Sequence, residues 1–176
     1  MKKLKILVAS YPSPDLDGFA CSVAYTELLR KNGKDVREGI FGTAHDEAQF
    51  VCSYLQYKPP QSLKNANEFD QIILVDCSEL NGLHKSIKPE NVIEIIDHRM
   101  QNDADQFPKA ILQIEKVGSA ATLIAEKFAA QNIEPTKESA MLLYSAIVSN
   151  TLNFMATVTT ERDRKMAQWL HNKIDI

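Results

Sequence analysis

Two aspartates one residue apart, Asp15 and Asp17 in "YPSPDLDGFA", stand between a pair of prolines and a long helical pattern. Two further acids close apolar runs: Asp76 at the end of "FDQIILVDCS", and Asp97, followed by His98, at the end of "VIEIIDHRM". Carboxylates joined by one imidazole make a hard, anionic donor set suited to Mg²⁺ or Mn²⁺. Such cations imply phosphate chemistry, and Asn150 in the last long helical region is a further polar candidate for the same place. Each element alone also has a plainer reading. Asp17 before Gly18 can be a helix N-cap, Asp15 after Pro14 an Asx-turn acid, Asp76 a strand-end turn residue and His98 a packed or surface histidine. Their joint occurrence after three separate strands is what points to one shared site.

The elements that must position these groups alternate between strand and helix. "LKILVAS" is rich in branched residues that suit a buried strand, and a long helical pattern with Val23, Ala24 and Leu28 on one face follows it, with Gly33 as its stop. "KDVREGIFG" reads as a second strand, and "AHDEAQFVCSYLQY" as a helix ended by Pro59 and Pro60. The runs that end in Asp76 and Asp97 lack alternation, the habit of strands covered on both faces of a parallel sheet. "AILQIEKV" has polar residues interleaved and suits an edge strand. Three helices follow, "SAATLIAEKFAAQN", "TKESAMLLYSAIVSNTL" and "TTERDRKMAQWLHNK", each opened by Ser or Thr as a cap. The expectation is a single α/β domain over residues 1–176: a mostly parallel, doubly wound sheet of about five strands with flanking helices. In open sheets of this kind the loops leaving the strand C-termini hold the ligand, which is where all four acids fall.

Composition narrows the classes. With 176 residues and a formal charge of −3, the chain has the size for a real core and no general excess of Lys and Arg for sequence-independent nucleic-acid or anionic-membrane binding. The apolar run of "MKKLKILVAS" is shorter than the roughly 7–15 residues of a signal peptide. Cys21, Cys52 and Cys77 are odd in number and widely spaced, which argues against a disulfide framework or a zinc site. A cytoplasmic location is expected.

Taken in order, "PDLD", the strand-ending Asp76, "IIDHR", "VGSAATLIAE" and "SAIVSNTLNFMATVTTERD" resemble the motifs of the DHH phosphoesterase superfamily, most closely the N-terminal domain of manganese-dependent (family II) inorganic pyrophosphatases. "GTAHDEAQFV" is similar to a helix of that group carrying a Glu-x-x-Phe pattern, here Glu47 to Phe50. The resemblance spans about Lys5 to Trp169 and implies a two-metal site. It makes Asp17 and His98 ligands of one metal, Asp15 a ligand of the other, and Asp76 the carboxylate bridging both. Asp97 becomes the residue behind His98 that orients its ring. Asp76, His98 and Arg99 are the expected catalytic residues.

Three positions depart from the family pattern: Tyr11 stands where its first motif has a His, Arg99 at the second His of Asp-His-His, and Asn150 at the Asp of Ser-Asp-Thr. Asn150 removes one negative charge and Arg99 adds a permanent positive one, and a phenol is a poor replacement for imidazole. The implied pocket takes one Mn²⁺ or Mg²⁺, or binds it weakly, with altered or reduced hydrolysis of a phosphate-containing small molecule, a nucleotide or a short nucleic acid. No C-terminal second lobe is expected, so a homodimer or a partner chain is expected to cover the open site. A non-catalytic phosphate- or nucleotide-binding module is the alternative, with Arg99 gripping phosphate through its planar fork. Gly118 and Ser119 at a helix start are candidates for substrate phosphate, although small residues there also serve tight packing. Thr160 and Asp163 have the spacing of a capping box. Met166, Trp169 and Leu170 suit either a core stripe or, through Trp169, a partner surface.

Overall fold

The computed structural model describes residues 4–174. The apolar runs form five strands: β1 (Ile6–Ala9), β2 (Val36–Gly39), β3 (Gln71–Val75), β4 (Val92–Asp97) and β5 (Ile111–Ile114). They pair in parallel throughout, in the order β2-β1-β3-β4-β5. The run ending at Asp76 lies in the middle of the sheet, and "AILQIEKV" supplies the edge, with Ile111 and Leu112 exposed. Alternate strand residues serve two cores. Val8, Ile73, Val75 and Ile96 point to one face, Leu7, Ala9, Leu74 and Ile95 to the other.

Five helices cover the first face: α1 (Leu16–Lys31), α2 (Asp46–Tyr54), α3 (Ala120–Ala130), α4 (Lys137–Asn150) and α5 (Glu161–His171). Phe19 and Leu28 of α1, Leu123 and Phe128 of α3, Leu142 of α4 and Leu170 of α5 join that core. The second face is closed by connecting segments and short 3₁₀ turns, which contribute Phe41, Phe69, Ile87 and Phe107. The flanking helices are therefore gathered on one side of the sheet. Met166 and Leu170 are buried and Trp169 packs against the same core, which favours the core stripe over a partner surface. α2 stops before its prolines, because Gln56 turns the chain with φ of 53°.

The last three helices start where the hydroxyls predict. Ser119, Thr136 and Thr160 are the N-caps of α3, α4 and α5, each accepting from a backbone N–H of the first turn. α1 and α4 are tied at the second of these caps: the backbone N–H of Thr136 donates to Glu27 Oε1 at 2.8 Å and its hydroxyl to Oε2 at 2.9 Å, while Lys31 Nζ lies 2.6 Å from Oε1. Burial opposes ionisation of Glu27, but Lys31, Ser139 and Thr136 outweigh it and hold its carboxyl below the ordinary value. Because the folded-state value is the lower one, this stabilisation is present at neutral pH and is lost as pH falls through the carboxylate range. Glu27→Gln is expected to lower stability at pH 7 by about 1–2 kcal/mol. Denaturant titrations at pH 7 and near pH 3 should show that difference shrinking toward zero in acid.

Candidate functional site

The sheet order reverses direction between β1 and β3, and at such a switch point two loops diverge and leave a crevice beyond the strand ends. Asp15 and Asp17 follow β1, Asp76 follows β3 directly, and His98 and Arg99 follow β4. Gly18 lets α1 approach this crevice closely, since a Cβ there would stand 2.3 Å from Ser10 Oγ and 3.3 Å from Asp76 Oδ2. Asp76 adopts a left-handed backbone, φ 51°, a strain on the order of 1 kcal/mol that an aspartate tolerates better than most residues.

Asp17 is buried and both of its carboxylate oxygens accept hydrogen bonds. Oδ1 accepts from Ser119 Oγ and the Ala121 N–H, both at 2.9 Å, and Oδ2 from the Ala120 N–H at 2.9 Å and from Asn150 Nδ2 at 2.5 Å. These are the free N–H groups of α3's first turn, so a side chain of this protein occupies the anion position at that helix end. Asp76 is differently placed. Its Oδ1 is buried with no hydrogen-bond donor in line, although Arg99 Nη1 stands 3.1 Å away and His98 Nε2 3.5 Å away as charged neighbours. His98 Nε2 is also 3.9 Å from Asp17 Oδ2. Ligand atoms of Asp17, Asp76 and His98 all lie within 4.8 Å of one another, the one such grouping among the described residues.

Around this trio the positive charge is supplied from within. Arg99 Nη1 donates to the Asp76 carbonyl at 2.7 Å and stands 3.4 Å from Asp97 Oδ1, while Nη2 donates to Asp76 Oδ2 at 3.4 Å. Asp97 itself is buried, accepting from Ser78 Oγ at 2.5 Å and from the His98 N–H at 2.7 Å. Burial and the Asp17 charge push the Asp76 carboxyl up to about 7, against the pull of His98 and Arg99. Burial works against a charge on His98, yet the contact with Asp76 and the Asp17 charge push it up to about 9. Asp17 is likewise raised, by burial first. Three buried acids, Asp17, Asp76 and Asp97, are thus packed beside one permanent cation and one imidazole, an arrangement that another cation would relieve.

Several expected roles fall differently in the structure. Asp15, not Asp17, caps α1, its Oδ1 accepting from the Gly18 N–H at 3.0 Å, and it lies outside the trio. The Tyr11 hydroxyl accepts from the Asp15 N–H at 3.1 Å, and burial raises its proton affinity further above that of a free phenol. Asp97 does not orient the His98 ring; His98 Nδ1 faces the Val117 carbonyl at 3.1 Å. That contact fixes the tautomer with Nε2 toward Asp17 and Asp76. The Gly118 N–H and the Ser119 hydroxyl, expected to face a phosphate, are both engaged by aspartates of the chain. The Gly118 N–H donates to both oxygens of Asp163, at 3.0 and 2.9 Å, and Ser119 is buried against Asp17. A Cβ on Gly118 would meet the Thr151 methyl at 2.6 Å, so packing explains the small residue. Asp163 completes the capping box of α5 with Thr160 and also accepts from Thr122 Oγ1 at 2.6 Å. The Val117 carbonyl, Ser78 and the inward role of Asp163 are site contacts that no spacing in the sequence announces.

Comparison with known proteins follows the same lines. The model of the DHH family, N-terminal domain, matches residues 5–147. A probable manganese-dependent inorganic pyrophosphatase of Clostridium acetobutylicum is 32% identical over 171 residues, covering 97% of this chain and 55% of the relative. One from Bacillus cereus is 31% identical over 173 residues, covering 98% and 56%. A Methanococcus jannaschii structure assigned to the family II inorganic pyrophosphatases superimposes with a TM-score of 0.81 at 28% identity, over 97% of this chain and 57% of that one. The chain spans about half the length of the relatives it matches.

Asp163 separates scaffold from site. Asp163→Ala strands the Gly118 N–H, the Thr122 hydroxyl and the Thr160 cap together, and is expected to cost about 3 kcal/mol or more. Denaturant unfolding measures that loss, while the affinity of the still-folded variant for Mn²⁺ should stay within about threefold of the parent, a difference of less than 1 kcal/mol.

Proposed function

The chain belongs to the DHH family, and from that premise we propose that it is a phosphoesterase-type domain whose Asp17, Asp76 and His98 hold a single Mn²⁺ or Mg²⁺ ion, with Arg99 supplying a fixed positive charge and Asn150 a hydrogen bond to Asp17 in place of further metal. The observation that carries this reading is the buried, undonated Asp76 Oδ1 facing His98 Nε2 and the Arg99 guanidinium. Two carboxylates and one imidazole nitrogen fit a hard divalent cation. Bound there, such an ion supplies charge neutralisation at phosphate oxygens and activation of water. The protein's own part is positioning: Val117 holds the imidazole, Asp97 and Asp76 brace Arg99, and the part of the guanidinium turned away from them is available to phosphate.

The substrate class is a phosphate ester or anhydride, and the activity is reduced, because Arg99 and Asn150 spend on Asp76 and Asp17 the interactions that would hold more metal. The relatives named for manganese-dependent pyrophosphatase activity are about twice as long as the chain described. Three buried free thiols suit a reducing cytoplasm. Among the described residues no helix is long and apolar enough to cross a membrane.

The test is the affinity for Mn²⁺ by calorimetric titration in two variants. Arg99→Ala removes the competing cation and is expected to tighten Mn²⁺ binding at least tenfold, about 1.4 kcal/mol. Asn150→Asp sets a second carboxylate against Asp17, so it should lower the melting temperature of metal-free protein and restore it on addition of Mn²⁺. Unchanged Mn²⁺ affinity in both variants overturns the proposal, as does a turnover of inorganic pyrophosphate by the parent chain in the ordinary range of about 1–10³ per second.

A further inference from the structure

Tyr11 and Arg99 come from strands on either side of β3. Tyr11 follows β1, Arg99 follows β4, and the two meet beyond the end of the strand between them, where Asp76 stands. There the Arg99 guanidinium lies over the Tyr11 ring, its carbon 5.7 Å from the ring centroid, within the reach of a cation–π contact. Its remaining contacts are with acids: Nη1 is 3.1 Å from Asp76 Oδ1 and 3.4 Å from Asp97 Oδ1. The ring is itself held at both ends. Its hydroxyl accepts from the Asp15 N–H at 3.1 Å, and its Cβ packs near the turn after Cys77, where a Cβ added to Gly82 would stand 4.0 Å away. Burial keeps the phenol protonated, so the ring attracts the cation through its quadrupole and not as a phenolate.

An arginine with 35% of its side chain exposed has outward rotamers open to it, and fixing so flexible a side chain costs conformational entropy. A ring stacked on the guanidinium favours the inward placement. That placement matters because Asp76 Oδ1 is the oxygen a metal held by the trio would use, and Arg99 Nη1 competes for it. We infer that Tyr11 is a positioning residue for Arg99: its ring keeps the guanidinium on Asp76 and thereby sets how strongly this internal cation competes with a divalent metal. Tyr11 acts on the metal site only through Arg99. Two of the three positions that depart from the family pattern are then one unit, a ring and the cation it holds. This rests on the single-metal reading above and adds the residue that tunes it.

Two substitutions separate the ring from the hydroxyl. Tyr11→Leu keeps an apolar side chain and removes the quadrupole, while Tyr11→Phe keeps the ring and removes the acceptor of the Asp15 N–H. In calorimetric titrations with Mn²⁺, Tyr11→Leu should tighten binding about threefold and Tyr11→Phe should stay within about 1.5-fold of the parent. In an Arg99→Ala background, Tyr11→Leu should change nothing further. Nuclear magnetic resonance of the metal-free protein gives a second readout: the Arg99 Nε–H signal, identified by its absence in Arg99→Ala, carries the ring-current shift of Tyr11. It should move in Tyr11→Leu and stay near its parent position in Tyr11→Phe. Should Tyr11→Leu fail to fold, Tyr11→Met takes its place, since an unbranched side chain adapts to the same space. Parent affinity in Tyr11→Leu, the same tightening in the Arg99→Ala background, or a change in Tyr11→Phe as large as in Tyr11→Leu overturns the role of the ring while the metal site stands. Absence of Mn²⁺ binding in both the parent and Arg99→Ala overturns the metal reading and the role of Tyr11 with it.

Discussion

The carboxylate of Asp17 at the first turn of α3 is the interaction on which the site depends. Three backbone or hydroxyl donors from α3 and one amide from the end of α4 converge on it, so one side chain joins the loop after β1 to two helices distant in sequence. The first turn of a helix presents unpaired N–H groups with a partial positive charge, and an aspartate satisfies both needs without an outside ligand. With Asp17 fixed, the close approach that Gly18 permits sets Asp76 beside it, and the Val117 carbonyl turns His98 toward the pair. The trio is preorganised by groups that are themselves buried.

Concentrating acids this way has an electrostatic cost, and this chain offsets it with Arg99. The guanidinium contacts Asp76 through both side chain and carbonyl and reaches Asp97 as well. A buried pair of this kind contributes little net stability on its own, but removing either partner leaves an uncompensated charge. A permanent cation beside Asp76 and Asp97 offsets their mutual repulsion, and on the proposed reading it makes a fully charged two-metal centre harder to assemble. Asn150 works in the same direction by donating to Asp17 where a carboxylate would repel it.

Much of the fold was legible in the sequence because it rests on local rules. Continuous apolar runs gave the central parallel strands, the polar residues of "AILQIEKV" gave the edge, and Ser119, Thr136 and Thr160 gave three helix starts. The acids at the strand ends and His98 were found by their types and placement. What stayed hidden were choices that depend on packing. Asp15 and Asp17 compete for the cap of α1, and only the position of α3 decides that Asp17 turns inward. A glycine and a serine before a helix look the same whether they greet a phosphate or an aspartate of the same chain. A backbone carbonyl such as that of Val117 has no side-chain identity, so its hold on His98 leaves no mark in the sequence.

The central claim is that Asp17, Asp76 and His98 hold one divalent cation beside a fixed arginine. Equilibrium titration of the full chain with Mn²⁺, following free metal by its paramagnetic resonance signal, counts the ions directly. The account predicts one equivalent per chain, lost in His98→Ala. Two tight equivalents, or one that persists in His98→Ala, would contradict it.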